Sequence, residues 1–280
     1  MVTIASGEHG FHFLLDIALD EEKGETERGR AVRALGDLGD GRAIDSLLTV
    51  HDRAVDDEEV RLAIEAVVAL ATLGNHDKAQ TAIDLAGDED PTVRVWALPA
   101  LQSIVGPGLL AALRTALKDE YAEMRLAAER GLFYLGVVES IEALIPHVED
   151  ESPDVANDAR VMLHDITGDW IDDDADVGQV RSWWEGRQAA FKDGICYRLG
   201  QPIELPPIIE LLAEPMYRYQ IIDELRVITG QNFGFDPTVP VDEQDAVLDR
   251  ARSWWEREGY RFQPGRLYKY GYAQDIARVY

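Results

Sequence analysis

From residue 25 to residue 168 apolar side chains recur every three or four positions, in alternating longer and shorter runs. That period places the apolar set on one face of an α-helix. In 124–135 the stripe is Met124, Ala128, Gly131, Leu132 and Leu135, and the small residues at 128 and 131 let a neighbouring helix come close. The longer runs repeat. Their anchors Val60, Val93, Met124 and Val155 are 33, 31 and 31 residues apart, and a looser copy ends at Gly39, 35 residues before Gly74. A shorter amphipathic run follows each copy, at 41–50, 76–86, 107–118 and 139–148, and acidic turns such as Asp56-Asp57-Glu58 and Asp88-Glu89-Asp90 come next. Gly39, Gly74, Gly106 and Gly136 fall where a left-handed cap favours glycine, and Pro91 and Pro153 fall in first turns, where no amide is needed. Pro99, inside a predicted helix, is expected to remove one hydrogen bond and bend it. One helix pair cannot bury its apolar face alone, so the pairs must stack. The predicted fold is all-α, a right-handed α-solenoid (an α-α superhelix) with no β-sheet.

The runs beginning Val60-Arg61, Val93-Arg94 and Met124-Arg125 carry a VR-x-x-A-x-x-x-L-G-like pattern. Over 25–168 the chain resembles the HEAT-repeat family, particularly the short bacterial repeats similar to those of phycobilisome lyases. The resemblance implies that the helix bearing the motif lines a concave face and that its arginine packs against acidic residues of adjacent repeats. Ala156 stands where the fifth copy would carry the arginine, and the first copy lacks it too, as expected of solenoid ends. Residues 1–168 are thus expected to form HEAT-like helical repeats.

The remainder, 169–280, is expected to continue the solenoid with a second duplication. Segments 181–200 and 252–271 share nine of twenty residues at an offset of 71, including Trp183-Trp184-Glu185 and Trp254-Trp255-Glu256. Each follows an Ile-Thr-Gly helix end, at 166–168 and 228–230, and an acidic stretch, at 172–176 and 236–245. The two Trp-Trp modules span 169–200 and 231–271. Phe191 and Phe262, seven residues beyond a tryptophan, are expected to fold back over it, with Tyr197 and Tyr268 pinning the tail. On that reading the tryptophans pack, and Glu185 and Glu256 are surface groups. This tail resembles segments of uncharacterised bacterial HEAT proteins, and no activity comes with that resemblance. The second copy is the fuller match, since the first has Trp170 and Ile171 after its Thr-Gly.

Composition narrows the function. The 280 residues, 46% of them apolar, are enough for one or two domains with a substantial core. The 53 acidic against 27 basic residues, a net charge of −26, argue against a nucleic-acid partner and allow a basic protein one. An adaptation to salty cytoplasm or a GC-rich genome would leave the same signature. No apolar stretch has the length of a membrane span and no leader is visible, so a cytoplasmic protein without a membrane partner is expected.

Candidate chemistry is sparse. His9 and His12, three apart near Glu8 and Asp16, are a weak metal-ligand pattern with no second cluster to complete it. Cys196 lacks a neighbouring histidine and reads as a packed side chain. Phosphate loops, dinucleotide fingerprints, nucleophile elbows and the His-Glu dipeptides of HEAT-like deoxyhypusine hydroxylases are missing. No catalytic residue, cofactor or metal is assigned. The leading expectation is a non-enzymatic protein-binding scaffold or adaptor using an acidic concave face, with partner-binding candidates Trp96, Gln102, Glu129, Arg130, Phe133 and His164. The alternatives are an enzyme or lyase-like accessory factor with a small-molecule site near Trp96, Arg130 and His164, and a self-associating structural protein.

Overall fold

The helical period is realised as paired helices throughout the repeat region. The computed structural model describes residues 8–236 and 238–279, in two compact units that divide between Ala116 and Leu117. The first unit holds α1 (Glu8–Leu19), α2 (Glu25–Leu38), α3 (Ile44–Asp56), α4 (Val60–Thr72), α5 (Ala79–Leu85), α6 (Pro91–Ser103) and α7 (Leu109–Ala116). The second holds α8 (Ala122–Leu135), α9 (Val138–Leu144), α10 (Pro153–Thr167) and α11 (Val177–Arg187). Then come β1 (Tyr197–Arg198), β2 (Gln201–Pro202), α12 (Leu205–Glu210), α13 (Arg218–Thr229), α14 (Ala246–Glu258), β3 (Tyr268–Lys269) and β4 (Tyr272–Ala273). The class is the all-α solenoid, helical hairpins stacked within each unit.

In the first unit α2 and α3 both pack on α4, and Leu35, Leu47, Leu62 and Leu70 are fully buried between them. Each such leucine stabilises by about 1.5–3 kcal/mol. The predicted stripe of α8 is buried along its whole length. Gly39, Gly74 and Gly136 take the left-handed conformation expected of them. Gly106 does not: α6 stops at Ser103, and the Val105 amide donates to Nδ1 of buried His76 instead. Asp90 caps α6 by accepting from the Thr92 amide, and α6 runs through position 99, whose side chain lies outside the described residues.

Two of the three motif arginines, Arg94 and Arg125, hold the turns before them. Arg125 donates to the carbonyls of Asp119 and Glu120 behind it and pairs with Asp150 ahead, at 2.8 Å. Arg94 makes the same backward bonds to Asp88 and Glu89. The first copy is not without its arginine after all. Buried Arg28, placed eleven residues before its cap glycine as Arg125 is, donates to the Ala18 carbonyl and to Glu59.

The expectation of no β-sheet fails in the aromatic tails. β1–β2 and β3–β4 are two-residue antiparallel ribbons, turning on Leu199-Gly200 and Tyr270-Gly271 with all four φ values positive. Two left-handed residues in a row make the tight hairpin whose twist suits the strands. Each turn docks on an Ile-Thr-Gly helix end. Leu199 and Gly200 donate to the carbonyls of Asp165 and Ile166, and Tyr270 and Gly271 to those of Val227 and Ile228. Four orphan carbonyls of α10 and α13 are thereby satisfied. These bonds also join α10 to the first module within the unit that begins at Leu117. The two tails are stitched together through their backbones: Cys196 donates to Gly265, Gly265 to Ile203, and Ile203 to Cys196.

Candidate functional site

Trp96 and Gln102 belong to α6 of the first unit. The Trp96 ring is 36% exposed, and the Arg61 guanidinium from α4 lies 5.8 Å from its centre. Gln102 is half-buried. Trp96 therefore presents one partly covered aromatic face, already supplied with a cation.

Glu129, Arg130, Phe133 and His164 belong to the second unit, and they have different surroundings. Glu129 has no exposed surface and cannot touch a partner; neither carboxyl oxygen makes a hydrogen bond among the described residues. Burial, reinforced by Asp158 and Asp150, pushes its carboxyl up to about 9. The helical stripe of α8 continues through position 129, and a protonated glutamic acid fills it at neutral pH. Arg130 is exposed, 4.0 Å from Asp158 of α10. Phe133 is half-buried, with the Arg198 guanidinium 5.5 Å from its ring centre.

His164 stacks on Trp170, ring centres 3.8 Å apart and planes 12° from parallel. Trp170 is 76% exposed, and sequence reasoning did not select it. The signal available was its position, an indole just past the Thr-Gly stop with no apolar stripe to join. Beside it Asp172, Asp173 and Asp174 are exposed, with no cation partner among the described residues. Arg160 of α10 fixes this loop by donating to the carbonyls of Asp172 and Ala175, and the Asp176 side chain accepts the Gln179 amide in a capping box on α11. Pinned backbone and unpaired carboxylates next to a flat indole make an acidic aromatic surface.

The doubled tryptophans pack instead. Phe191 lies 5.2 Å from Trp184 and 4.7 Å from Tyr197; Phe262 lies 5.6 Å from Trp254 and 4.7 Å from Tyr268. The hydroxyls of Tyr197 and Tyr268 accept the amides of Lys192 and Gln263 and so pin the tails. Glu185 and Glu256 are exposed. Cys196 is buried, its thiol pushed up to about 12 by desolvation, and so is not a nucleophile at neutral pH. No group of three His, Cys, Asp or Glu among the described residues is placed to hold a metal. No helix among them is long and apolar enough to cross a membrane.

Residues 49–132 match the family model described as HEAT repeats, and residues 27–50 match the PBS lyase HEAT-like repeat. No curated protein matches the chain. Among solved structures, an engineered protein from the Northeast Structural Genomics Consortium is 15% identical, with a TM-score of 0.41 over 87% of this chain and 96% of that one. A designed armadillo repeat protein in complex with the peptide (KR)4 is 16% identical, with a TM-score of 0.39 over 86% and 98%. An archaeal HEAT-like repeats protein from Thermococcus onnurineus NA1 is 15% identical, with a TM-score of 0.38 over 88% of both chains. At these values the structural likenesses carry no argument about the site.

Proposed function

We propose that the chain is a non-enzymatic, cytoplasmic protein-binding scaffold, and that its second unit takes a basic segment of a partner on the surface around Trp170. The observation that carries this reading is the stack of Trp170 on His164: a large indole, mostly exposed, is nonetheless held in one orientation. An immobilised ring loses little conformational freedom on binding, which makes it an effective anchor. Its free face suits a guanidinium, and Asp172, Asp173 and Asp174 supply the complementary charge. Net charge of −26 adds steering toward a basic partner.

Affinity capture from native lysate, with wild-type and Trp170→Ala chains at low and high salt, tests this. One stoichiometric basic protein, retained by wild type and lost with Trp170→Ala at unchanged net charge, supports the reading. A captured set indifferent to Trp170 contradicts it.

A further inference from the structure

The second unit contains a cavity of about 150 Å³, partly open to solvent, between α8, α13 and the two tails. We propose that this cavity is a binding site for a neutral, single-ring aromatic ligand bearing one amide- or hydroxyl-type polar edge. The site is separate in its residues from the Trp170 surface, and the inference does not rest on the scaffold reading.

Size sets the first limit, since about 150 Å³ is the volume in which an apolar cavity takes up benzene. The walls set the second. Phe133, Trp255, Phe262 and Tyr268 line the space, and ring faces and edges of this kind favour an aromatic guest through offset and edge-to-face contacts.

Charge sets the third limit. Arg198 and Glu224 also line the cavity, and both are buried and paired: Nε of Arg198 donates to Glu224 at 3.1 Å, and a second guanidinium nitrogen lies 3.1 Å from the Asp165 carboxylate. That second nitrogen also donates to the Asp165 carbonyl at 2.9 Å. An anionic ligand would compete with Glu224 and Asp165 for Arg198, and a cationic one would compete with Arg198 for those carboxylates, leaving a buried charge uncompensated. A neutral amide or hydroxyl adds a hydrogen bond without breaking the pair. Tyr134 also lines the cavity, and its phenol, protonated at neutral pH, is a further donor there.

The site is composite. Phe133 comes from a repeat helix, Arg198 from the first ribbon, and Phe262 and Tyr268 from the second module, so the duplicated tails enclose a space that neither encloses alone.

The test is calorimetric titration of the full chain with benzamide and phenol, and with benzoate and benzylamine as charged counterparts. The proposal expects saturable one-site binding of the neutral probes, at least tenfold tighter than the charged ones. Ile203→Trp, which fills the cavity from its half-buried wall, should weaken benzamide at least tenfold while keeping the thermal transition. Tyr134→Phe keeps the ring and removes the hydroxyl, and should weaken benzamide and phenol several-fold in a folded protein. Failure of both neutral probes to saturate overturns the proposal. So does equal affinity for charged probes, or unchanged affinity in Tyr134→Phe.

Discussion

Gly200 and Thr167 meet so closely that a Cβ on Gly200 would lie 2.5 Å from the Thr167 carbonyl oxygen. The second module repeats the relation, with 3.0 Å from Gly271 to the Thr229 carbonyl oxygen. The glycine closing each tail and the Thr-Gly ending each helix are thus two halves of one joint. Thr167 and Thr229 complete it by donating back to the carbonyls of Leu163 and Leu225.

Gly200→Ala should destabilise the chain by about 2–5 kcal/mol, through a positive φ that alanine resists and a backbone clash. Gly271→Ala should follow in direction with a smaller clash. At Gly186 of α11 a Cβ would meet nothing within 4 Å, and Gly186→Ala should stabilise by about 0.5–1 kcal/mol. Urea melts of the three variants check the set.

Glu129 gives stability a pH slope of known sign. Its folded carboxyl sits at about 9 against an ordinary 4.5. Between those values the folded chain holds a proton that the unfolded chain has lost, so the contribution of this group is greatest below pH 4.5 and is lost as pH rises toward 9. The slope from this group is at most about 1.4 kcal/mol per pH unit. Glu129→Gln should therefore match wild type near pH 4.5 and exceed it by up to a few kcal/mol near pH 9. Melts across that range read the divergence.

Lys269 has the opposite slope. It is 1% exposed, and burial brings its amine down from 10.5 to about 7. From pH 7 to 10.5 the unfolded chain binds the extra proton, so stability rises with pH through that window. Lys269→Met should stabilise most at pH 7 and below, and the gain should shrink toward pH 10.5. In wild type the slopes of Glu129 and Lys269 oppose each other between pH 7 and 9. Thermal melts of Lys269→Met at both ends of the window check the sign.

Arg125 closes two acidic turns at once, and it is 5% exposed. Arg125→Met should cost about 3–5 kcal/mol, because it leaves Asp150 without its strongest partner and strands two carbonyls. Arg125→Lys should recover only part, since an ammonium cannot fork between both turns. Chemical denaturation of the pair tests the joint role.

The repeat helices were legible because burial on one face forces a three-to-four period on residues such as Met124, Leu132 and Leu135. The folding of Phe191 onto Trp184 was legible from its seven-residue spacing, whereas Phe262 lies nearer Trp254, eight residues back, than Trp255. The joint between Gly200 and Thr167 was not: both motifs were visible, but their pairing crosses 33 residues and is made by backbone atoms. Nor was the burial of Glu129, since an acid on the wetter edge of a helical stripe has no sequence mark to separate it from exposed Arg130. Trp170 escaped because an anchor outside any helix has no period.

The most direct test of the scaffold reading is calorimetric titration of two net-charge-matched octapeptides, one arginine-rich and one lysine-rich, into wild type and Trp170→Ala. Stacking on a fixed indole predicts several-fold preference for the arginine peptide and at least a tenfold loss in Trp170→Ala, both persisting at moderate salt. Equal affinity for the two peptides, unchanged by Trp170→Ala and abolished by salt, would mean that acidity alone does the binding and would contradict the assignment of this surface.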